Sequence, residues 1–142
     1  MKKQLLGIVI GLGVMSILLA GQANAQTATL CKAHIPFAFT IGPESFAAGE
    51  YAISLVNPAS NQNSLLVRNL ADGQARLVMI TPKEASAQLA GGKLIFNNYD
   101  GQYSLTEMAT PALAGDFQRG KFERNLAKKQ GRKPIQETLA LF

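Results

Sequence analysis

The stretch that decides the fold is Lys-Leu-Ile-Phe-Asn-Asn-Tyr-Asp-Gly-Gln-Tyr-Ser-Leu-Thr-Glu-Met, residues 93–108. Its centre is Asp100-Gly101, and both residues tolerate the positive φ angles that a two-residue hairpin turn requires. The largely apolar runs 93–99 and 102–108 flank this pair on either side. The stretch therefore predicts two antiparallel strands joined by a tight turn.

The same pattern recurs upstream of this hairpin. The runs 65–70 and 74–80 flank Asp72-Gly73 and predict a second hairpin. Large apolar residues that alternate with small or polar ones predict two further strands. One face of the first strand carries Ile35, Phe37, Phe39 and Ile41. One face of the second strand carries Tyr51, Ile53 and Leu55.

The C-terminal part of the chain has a different pattern. Residues 121–130 have helix-forming composition, Phe122 and Leu126 share one helical face, and Gly131 suits the position after a helix. Residues 135–142 are apolar and predict a last strand that returns to the sheet. We therefore expect an all-β fold, a small antiparallel sandwich or barrel, with one short C-terminal helix before a last strand.

The N-terminus has the layout of a secretory signal peptide. Met1-Lys2-Lys3 is positively charged, residues 5–20 are apolar or small, and Ala23-Asn24-Ala25 is typical of a cleavage site. The apolar run is shorter than the roughly 20 residues that span a bilayer, so removal is favoured over anchoring. Residues 1–25 are thus predicted to be a signal peptide. The mature chain is predicted to be exported, either periplasmic or extracellular, and to have no transmembrane segment once the signal peptide is removed.

Residues 26–142 have the length of one domain, and their charge is unevenly distributed. Residues 26–116 form a body with five basic and seven acidic residues, a net charge of −2. Residues 117–142, the predicted helix and final strand, have seven basic and two acidic residues, a net charge of +5. This asymmetry is the main electrostatic feature of the chain.

The basic end predicts a candidate site for anionic surfaces at Lys128, Lys129, Arg132 and Lys133. Its partner would be an anionic envelope lipid or glycan. A solvated helix face, or a tail attracted to the acidic body, is the alternative. Nucleic acid is not an expected partner, because aromatic residues do not interleave the charges.

Four runs of this chain resemble a family of small exported bacterial proteins to which no activity is assigned. They are IPFAFTIG at 35–42, AGEY at 48–51, the aromatic-rich run at 94–103, and ERNLA at 123–127. The resemblance implies a small β-rich exported domain and transfers no catalytic residue. Members often have His-Arg where this chain has Asn97-Asn98, so any role of that histidine is absent here.

Composition argues against several chemistries. A single cysteine, Cys31, excludes a disulfide framework within the chain, and a single histidine, His34, argues against a histidine-based metal site. In a strand these two side chains point to opposite faces, so they do not predict a Cys–His pair. We expect Cys31 to be a small buried hydrophobic residue. No catalytic residue, metal site or cofactor is predicted.

One motif resembles a calcium-binding loop. Asn98, Asp100, Gly101 and Glu107 fall at positions 3, 5, 6 and 12 of the EF-hand spacing. Phe96 would occupy position 1, where it offers no oxygen ligand, and the flanking residues predict strands instead of helices. A hairpin turn is the preferred interpretation.

Glu107 is the one carboxylate that the strand pattern places on an apolar face. It follows Tyr103 and Leu105 at a spacing of two, which predicts an inward side chain. A buried carboxylate needs a partner, and Arg68 or Arg76 is the expected one. A structural ion pair is favoured over a carboxylate-based hydrolase.

The function expected from sequence is that of a non-enzymatic exported module, with a binding or structural role in the cell envelope. The alternative is a carrier of a small apolar ligand in a β pocket, and a hydrolase is the less favoured third possibility. Most of the aromatic residues fall on apolar strand faces and are expected in the core: Phe37, Phe39, Tyr51, Phe96, Tyr99 and Tyr103.

Overall fold

The computed structural model describes residues 27–57, 61–85, 91–131 and 133–142. The predicted signal peptide lies outside the described residues. Within them, the chain forms ten β-strands and one α-helix, which confirms the mostly β class with a short helix before the last strand. The elements are β1 (Ala28–Ile35), β2 (Phe39–Ile41), β3 (Glu44–Phe46), β4 (Gly49–Asn57), β5 (Asn61–Asn69), β6 (Ala75–Lys83), β7 (Lys93–Tyr99), β8 (Gln102–Ala109), β9 (Ala114–Phe117), α1 (Lys121–Gln130) and β10 (Ile135–Ala140).

The strands form one sheet with the order β1-β4-β5-β6-β9-β8. One edge of β8 pairs with β7, which in turn pairs with β10. The other edge of β8 is shared by two strands. β9 pairs with residues 107–109 of β8, and β2 pairs with Tyr103 and Ser104 of β8. The β2–β8 pair is parallel and the other pairs between these strands are antiparallel.

Two edge strands of the sheet, β1 and β10, approach each other, and the backbone joins them just beyond the end of β10. The Lys32 amide donates to the Phe142 carbonyl at 3.0 Å, and the Phe142 amide donates to the Lys32 carbonyl at 3.2 Å. The sheet therefore curls around one core in a sandwich-like arrangement and is not a closed barrel.

Both predicted hairpins are present. Asp100 and Gly101 have φ angles of 51° and 87°, and Gly73 has a φ angle of 73°. The Asn98 Oδ1 atom accepts a hydrogen bond from the Gly101 amide at 2.7 Å, so it serves the turn itself. Glu107 lies well down the ladder, opposite Ile95. The residues of the calcium-loop spacing thus belong to a hairpin.

The strand predicted over residues 35–41 is divided in two. β1 ends at Ile35, the exposed Pro36 follows it, and β2 begins at Phe39. The residues after Ile41, for which no strand was predicted, contain β3, which pairs with β2 in a tight hairpin. Proline cannot donate to a strand ladder, which explains why pairing stops at Pro36.

The core lies inside the curled sheet and is built by alternating residues of its strands. Phe96 is fully buried and packs edge-on against Phe37 and Phe39, with ring centroids 5.1 and 5.6 Å away. Phe37 and Tyr103 stack at 3.7 Å at the margin of this core. Aromatic core packing is thus confirmed for most of the expected residues. Tyr99 is the exception, since it is buried beneath α1 on the outer face of the sheet.

Cys31 is buried in the core and His34 is exposed on the opposite face of β1, as the strand pattern predicts. Burial raises the pKa of the Cys31 thiol from 9.0 to about 11.

The stability of the protein should therefore fall between pH 9 and pH 11 in a way that depends on Cys31. The folded state keeps the thiol proton while the unfolded state loses it, so the contribution is complete below pH 9 and disappears as the pH rises through 11. The predicted loss is about 2 to 3 kcal/mol over that interval. Urea unfolding at both pH values measures it, and Cys31→Ala should remove this component. Equal losses in the two proteins would contradict the prediction.

Candidate functional site: the basic helix and its surroundings

Helix α1 begins after Gly120 and ends before Gly131, as predicted. Gly120 has an extended conformation and provides no side-chain cap, and Gly131 has a φ angle of 57°, the left-handed conformation common after helices. Gly120 packs directly on the turn between β2 and β3, where a side chain would overlap the Gly42 carbonyl. The absence of a side chain at Gly120 thus allows the helix to start against that turn.

The buried face of α1 carries a carboxylate. Glu123 is only 3% exposed and lies over the outer face of β7 and β8. Its Oε2 atom accepts a hydrogen bond from the Ser104 hydroxyl at 2.9 Å, and its Oε1 atom accepts one from the Tyr99 hydroxyl at 3.2 Å. The Asn97 amide donates to the same Oε1 atom at 3.3 Å. Three polar side chains of the sheet therefore fix the helix through one carboxylate.

Two nearby groups complete the electrostatics of this cluster. The Arg119 Nε atom lies 3.8 Å from the Glu123 Oε1 atom, and the Arg119 side chain is largely exposed. Burial, reinforced by the Glu123 carboxylate, raises the pKa of Tyr99. Tyr99 therefore stays a neutral phenol that can donate to Glu123.

The burial of Glu123 was not predicted from the sequence. A signal for it exists, because Glu123, Leu126 and Ala127 have the i, i+3, i+4 spacing of one helical face. Leu126 and Ala127 are also partly buried. The polar partners Asn97 and Tyr99 alternate with the core residue Phe96, which places them on the outer face of β7.

The exposed face of α1 is basic. Three exposed cations share this face at the spacing i, i+3 and i+7: Lys121, Arg124 and Lys128. Lys129 is exposed in the last turn, and the Phe122 side chain is 52% exposed. We call this set, Lys121, Phe122, Arg124, Lys128 and Lys129, the basic face.

The structure places three of the four predicted site residues. Lys128 and Lys129 belong to the basic face, and Lys133 is exposed just before β10. Arg132 lies outside the described residues. None of the three forms an ion pair with the part of the chain that the structure describes.

A groove of about 670 Å³ lies beside the first turn of α1. One wall is the turn between β2 and β3, including Gly42 and Pro43, and the other wall is formed by residues 118–122 and 124. Arg119, Lys121 and Arg124 bring three positive charges to this groove, which also contains the half-exposed Phe122 ring.

A smaller polar cavity of about 300 Å³ lies on the other side of Arg119. It is lined by Asn97, Thr106, Glu107, Asp116, Phe117, Arg119 and Gln136. On its wall, Glu107 and Asp116 face each other across the β8–β9 pair. The Lys83 ammonium contacts both, at 3.5 Å from Glu107 Oε2 and 2.6 Å from Asp116 Oδ1. Its hydrogen bond to Asp116 is the main reason that the pKa of Lys83 is raised.

The expectation for Glu107 is wrong in two respects. The side chain faces the outer surface instead of the core, and its partner is Lys83 instead of Arg68 or Arg76. The reason is a bulge in the β7–β8 ladder, where Leu105 pairs with Phe96 and Glu107 with Ile95, leaving Thr106 unpaired. One extra residue moves every later side chain to the opposite face.

In comparisons with known proteins, no family model, no curated protein and no solved structure matches this chain. Within the described residues, no helix is long and apolar enough to cross a membrane. Function is therefore inferred from the chemistry of the basic face, the groove and the polar cavity.

Proposed function

We propose that the protein is an exported, non-enzymatic module that binds anionic surfaces of the cell envelope, lipid or glycan, through the basic face of α1. The observation that carries the proposal is the row of exposed cations on one helix face, next to the half-exposed Phe122 ring. The predicted signal peptide supports an envelope location.

Helix stability explains only part of the arrangement of these charges. Lys128 and Lys129 lie in the last turn, where the helix dipole favours cations. Lys121 lies in the first turn, where the dipole disfavours a positive charge, and the like charges Arg124 and Lys128 repel each other at i and i+4. An anionic ligand would offset both the unfavourable interaction of Lys121 with the helix dipole and the repulsion between Arg124 and Lys128.

An anionic surface also suits the shape and composition of this region. Phe122 can insert its ring among apolar groups while the cations around it contact headgroups or acidic sugars. Each basic residue close to an anionic membrane contributes about 1 kcal/mol. Arg119 in the adjoining groove would extend the same contact.

Reversing two charges of the basic face should abolish most of the binding. Arg124→Glu combined with Lys128→Glu is expected to weaken binding to anionic vesicles at least tenfold, since about 1 kcal/mol is lost for each cation. The matched control reverses Lys32 and Arg68, two exposed cations of the body, and changes the net charge equally. Binding is measured by vesicle cosedimentation at low and at physiological salt, where a Debye length of about 8 Å screens surface charge.

The same proteins are then titrated with dextran sulfate as an anionic glycan. Binding to dextran sulfate alone would identify a glycan surface, and binding to vesicles a lipid surface. The proposal fails if the wild-type protein binds neither, or if both double variants lose binding equally.

A further inference from the structure

The first half of β6 has an edge that no strand covers. β6 pairs with β5 along residues 75–79 and with β9 along residues 80–83. The hairpin to β5 fixes where its backbone groups point, because the Asn69 amide donates to the Gln74 carbonyl at 2.8 Å. Hydrogen-bonded pairs alternate along an antiparallel ladder, so every second residue after Gln74 faces β5. The residues between them, Ala75 and Leu77, direct their N–H and C=O groups to the opposite edge.

Pro82 supports this assignment of directions. Proline has no N–H group to donate, so the hydrogen bonds of β6 to β9 come from its neighbours Thr81 and Lys83. Leu77 lies four residues before Thr81, so its backbone groups face the same edge as β9. β9 begins to pair only at Ile80, and no other strand of the described chain pairs with this edge below that point. The edge beside residues 75–78 is therefore open.

β3 stands opposite this open edge. The Ile41–Glu44 pair closes the two-residue turn between β2 and β3, so the backbone groups of Ser45 face away from β2. A cleft of about 250 Å³ separates β3 from β6, and its walls are formed by residues 41–44 and 77–79. We call this space the edge cleft. Backbone donors and acceptors from two strands face it, and no ladder joins those strands in the described chain.

An ion pair forms the floor of the edge cleft. The Arg76 Nε atom lies 3.8 Å from the Glu44 Oε2 atom, so two long side chains meet between the strands. Arg76 alternates in phase with the buried Val78, and Glu44 with the buried Phe46, which places the ion pair on the core side of both strands. The outer side of the edge cleft is therefore left open.

The outer rim of the edge cleft is apolar. Leu77 is 58% exposed and Met79 is 50% exposed, and both side chains point outward from β6. Leu66 extends this apolar surface, since it lies directly opposite Leu77 on β5. Pro43 lines the other side. Large apolar side chains beside an open strand edge are typical of a surface that another chain covers.

One end of the edge cleft meets the basic groove beside α1. The two spaces share Gly42, Pro43 and Gln118 in their walls. Beyond Gln118, the groove carries the positive charges of Arg119, Lys121 and Arg124. A chain that lies in the edge cleft and continues past Gln118 would therefore be complementary in charge if it carried carboxylates there.

We infer that the open edge of β6 binds an extended acidic peptide segment of another protein by strand addition. The segment runs antiparallel to β6, and the residue opposite Leu77 exchanges two backbone hydrogen bonds with it. That residue places an apolar side chain on the outer rim, and acidic residues before it reach the groove. A second copy of this chain does not fit, because β3 leaves room for one strand and not for a sheet. The inference does not depend on the proposal for anionic surfaces.

Amide hydrogen exchange followed by NMR tests the open edge in the free protein. The Leu77 amide should exchange without protection, whereas the Val78 amide, which faces β5, should be protected. Equal protection of the two amides would overturn the inference, since the edge would then be closed.

The peptide acetyl-Asp-Asp-Ser-Ile-Thr-Val-amide is the probe for binding. Its isoleucine is designed to lie opposite Leu77, and its saturating addition should slow exchange of the Leu77 amide at least about tenfold. The same peptide with N-methyl groups on the isoleucine and valine nitrogens lacks the required donors and should not bind. Asparagines in place of the aspartates should weaken binding. Failure of the first peptide to slow exchange, or equal affinity of the N-methylated peptide, would overturn strand addition. Equal affinity of the asparagine peptide would overturn the acidic character of the partner.

A pair of variants locates the site. Leu77→Ser should lower peptide affinity at least about tenfold, because the apolar contact on the rim is lost. Leu70→Ser is the matched control, since Leu70 is an exposed leucine in the turn after β5 and does not line the edge cleft. Equal affinities of the two variants would overturn this location. If Leu77→Ser does not fold, Met79→Ser takes its place. Neither variant should change vesicle binding, so failure of the peptide site and failure of the anionic-surface proposal are distinguishable.

Discussion

Replacing Glu123 with alanine should lower the free energy of unfolding by about 3 to 5 kcal/mol, because several buried donors lose their acceptor at a cost of about 1 to 3 kcal/mol each. The substitution removes the acceptor of Tyr99 and Ser104 and one acceptor of Asn97. These donors lie in buried residues beneath the helix, where water replaces the carboxylate poorly. Urea unfolding followed by circular dichroism measures the change.

Glu137→Ala is the matched control for this prediction. Glu137 also accepts from two side chains, the Asn98 amide and the Tyr103 hydroxyl, each at 3.2 Å. It is only partly buried, so water can replace the lost acceptor, and the expected cost is about 1 kcal/mol or less. Similar costs for the two substitutions would show that the Glu123 cluster does not secure the helix.

Phe96→Ala should destabilise the fold by about 3 to 5 kcal/mol, as is usual for a buried phenylalanine. Phe96 is fully buried, and its ring forms edge-on contacts with Phe37 and Phe39. The substitution leaves a cavity at the centre of the curled sheet, because rings held by their own strands cannot collapse into the space. Thermal and chemical unfolding both measure this loss.

Phe122→Ala makes the same chemical change on the surface. Because the Phe122 side chain is 52% exposed, its removal should cost less than about 1 kcal/mol of stability. The same variant should bind anionic vesicles more weakly if the basic face is the binding site. A large stability loss in Phe122→Ala, or a small one in Phe96→Ala, would contradict this assignment of core and surface.

The elements that the sequence predicted well are those determined by neighbouring residues. Asp100, Gly101 and Gly73 adopt the positive φ angles of their turns because their own backbone preferences allow them. Asp72 supports its turn by accepting a hydrogen bond from the Gln74 amide. Helix α1 has the bounds predicted from residues 121–130, since its composition and the following Gly131 act locally. The all-β class follows from these hairpins and from the period-two alternation.

Other strands depend on the strands that surround them in the sheet. β9, residues Ala114–Phe117, was not predicted as a strand, and it pairs with β6 and β8. β3 is three residues long and exists because it lies against β2. Short segments such as these have little strand preference of their own, and their pairing is decided by the sheet that surrounds them.

The sequence by itself determined the mostly β class, the two hairpins, the position of α1 and the accumulation of positive charge after residue 116. Each depends on preferences that act within a few residues. Tertiary structure alone decided that Glu107 faces outward, since a bulge in a ladder changes which face a residue takes. It also decided that Glu123 is buried and that the Asn97 Oδ1 atom has no hydrogen-bond partner among the described residues, because burial depends on which surfaces the helix and the sheet cover.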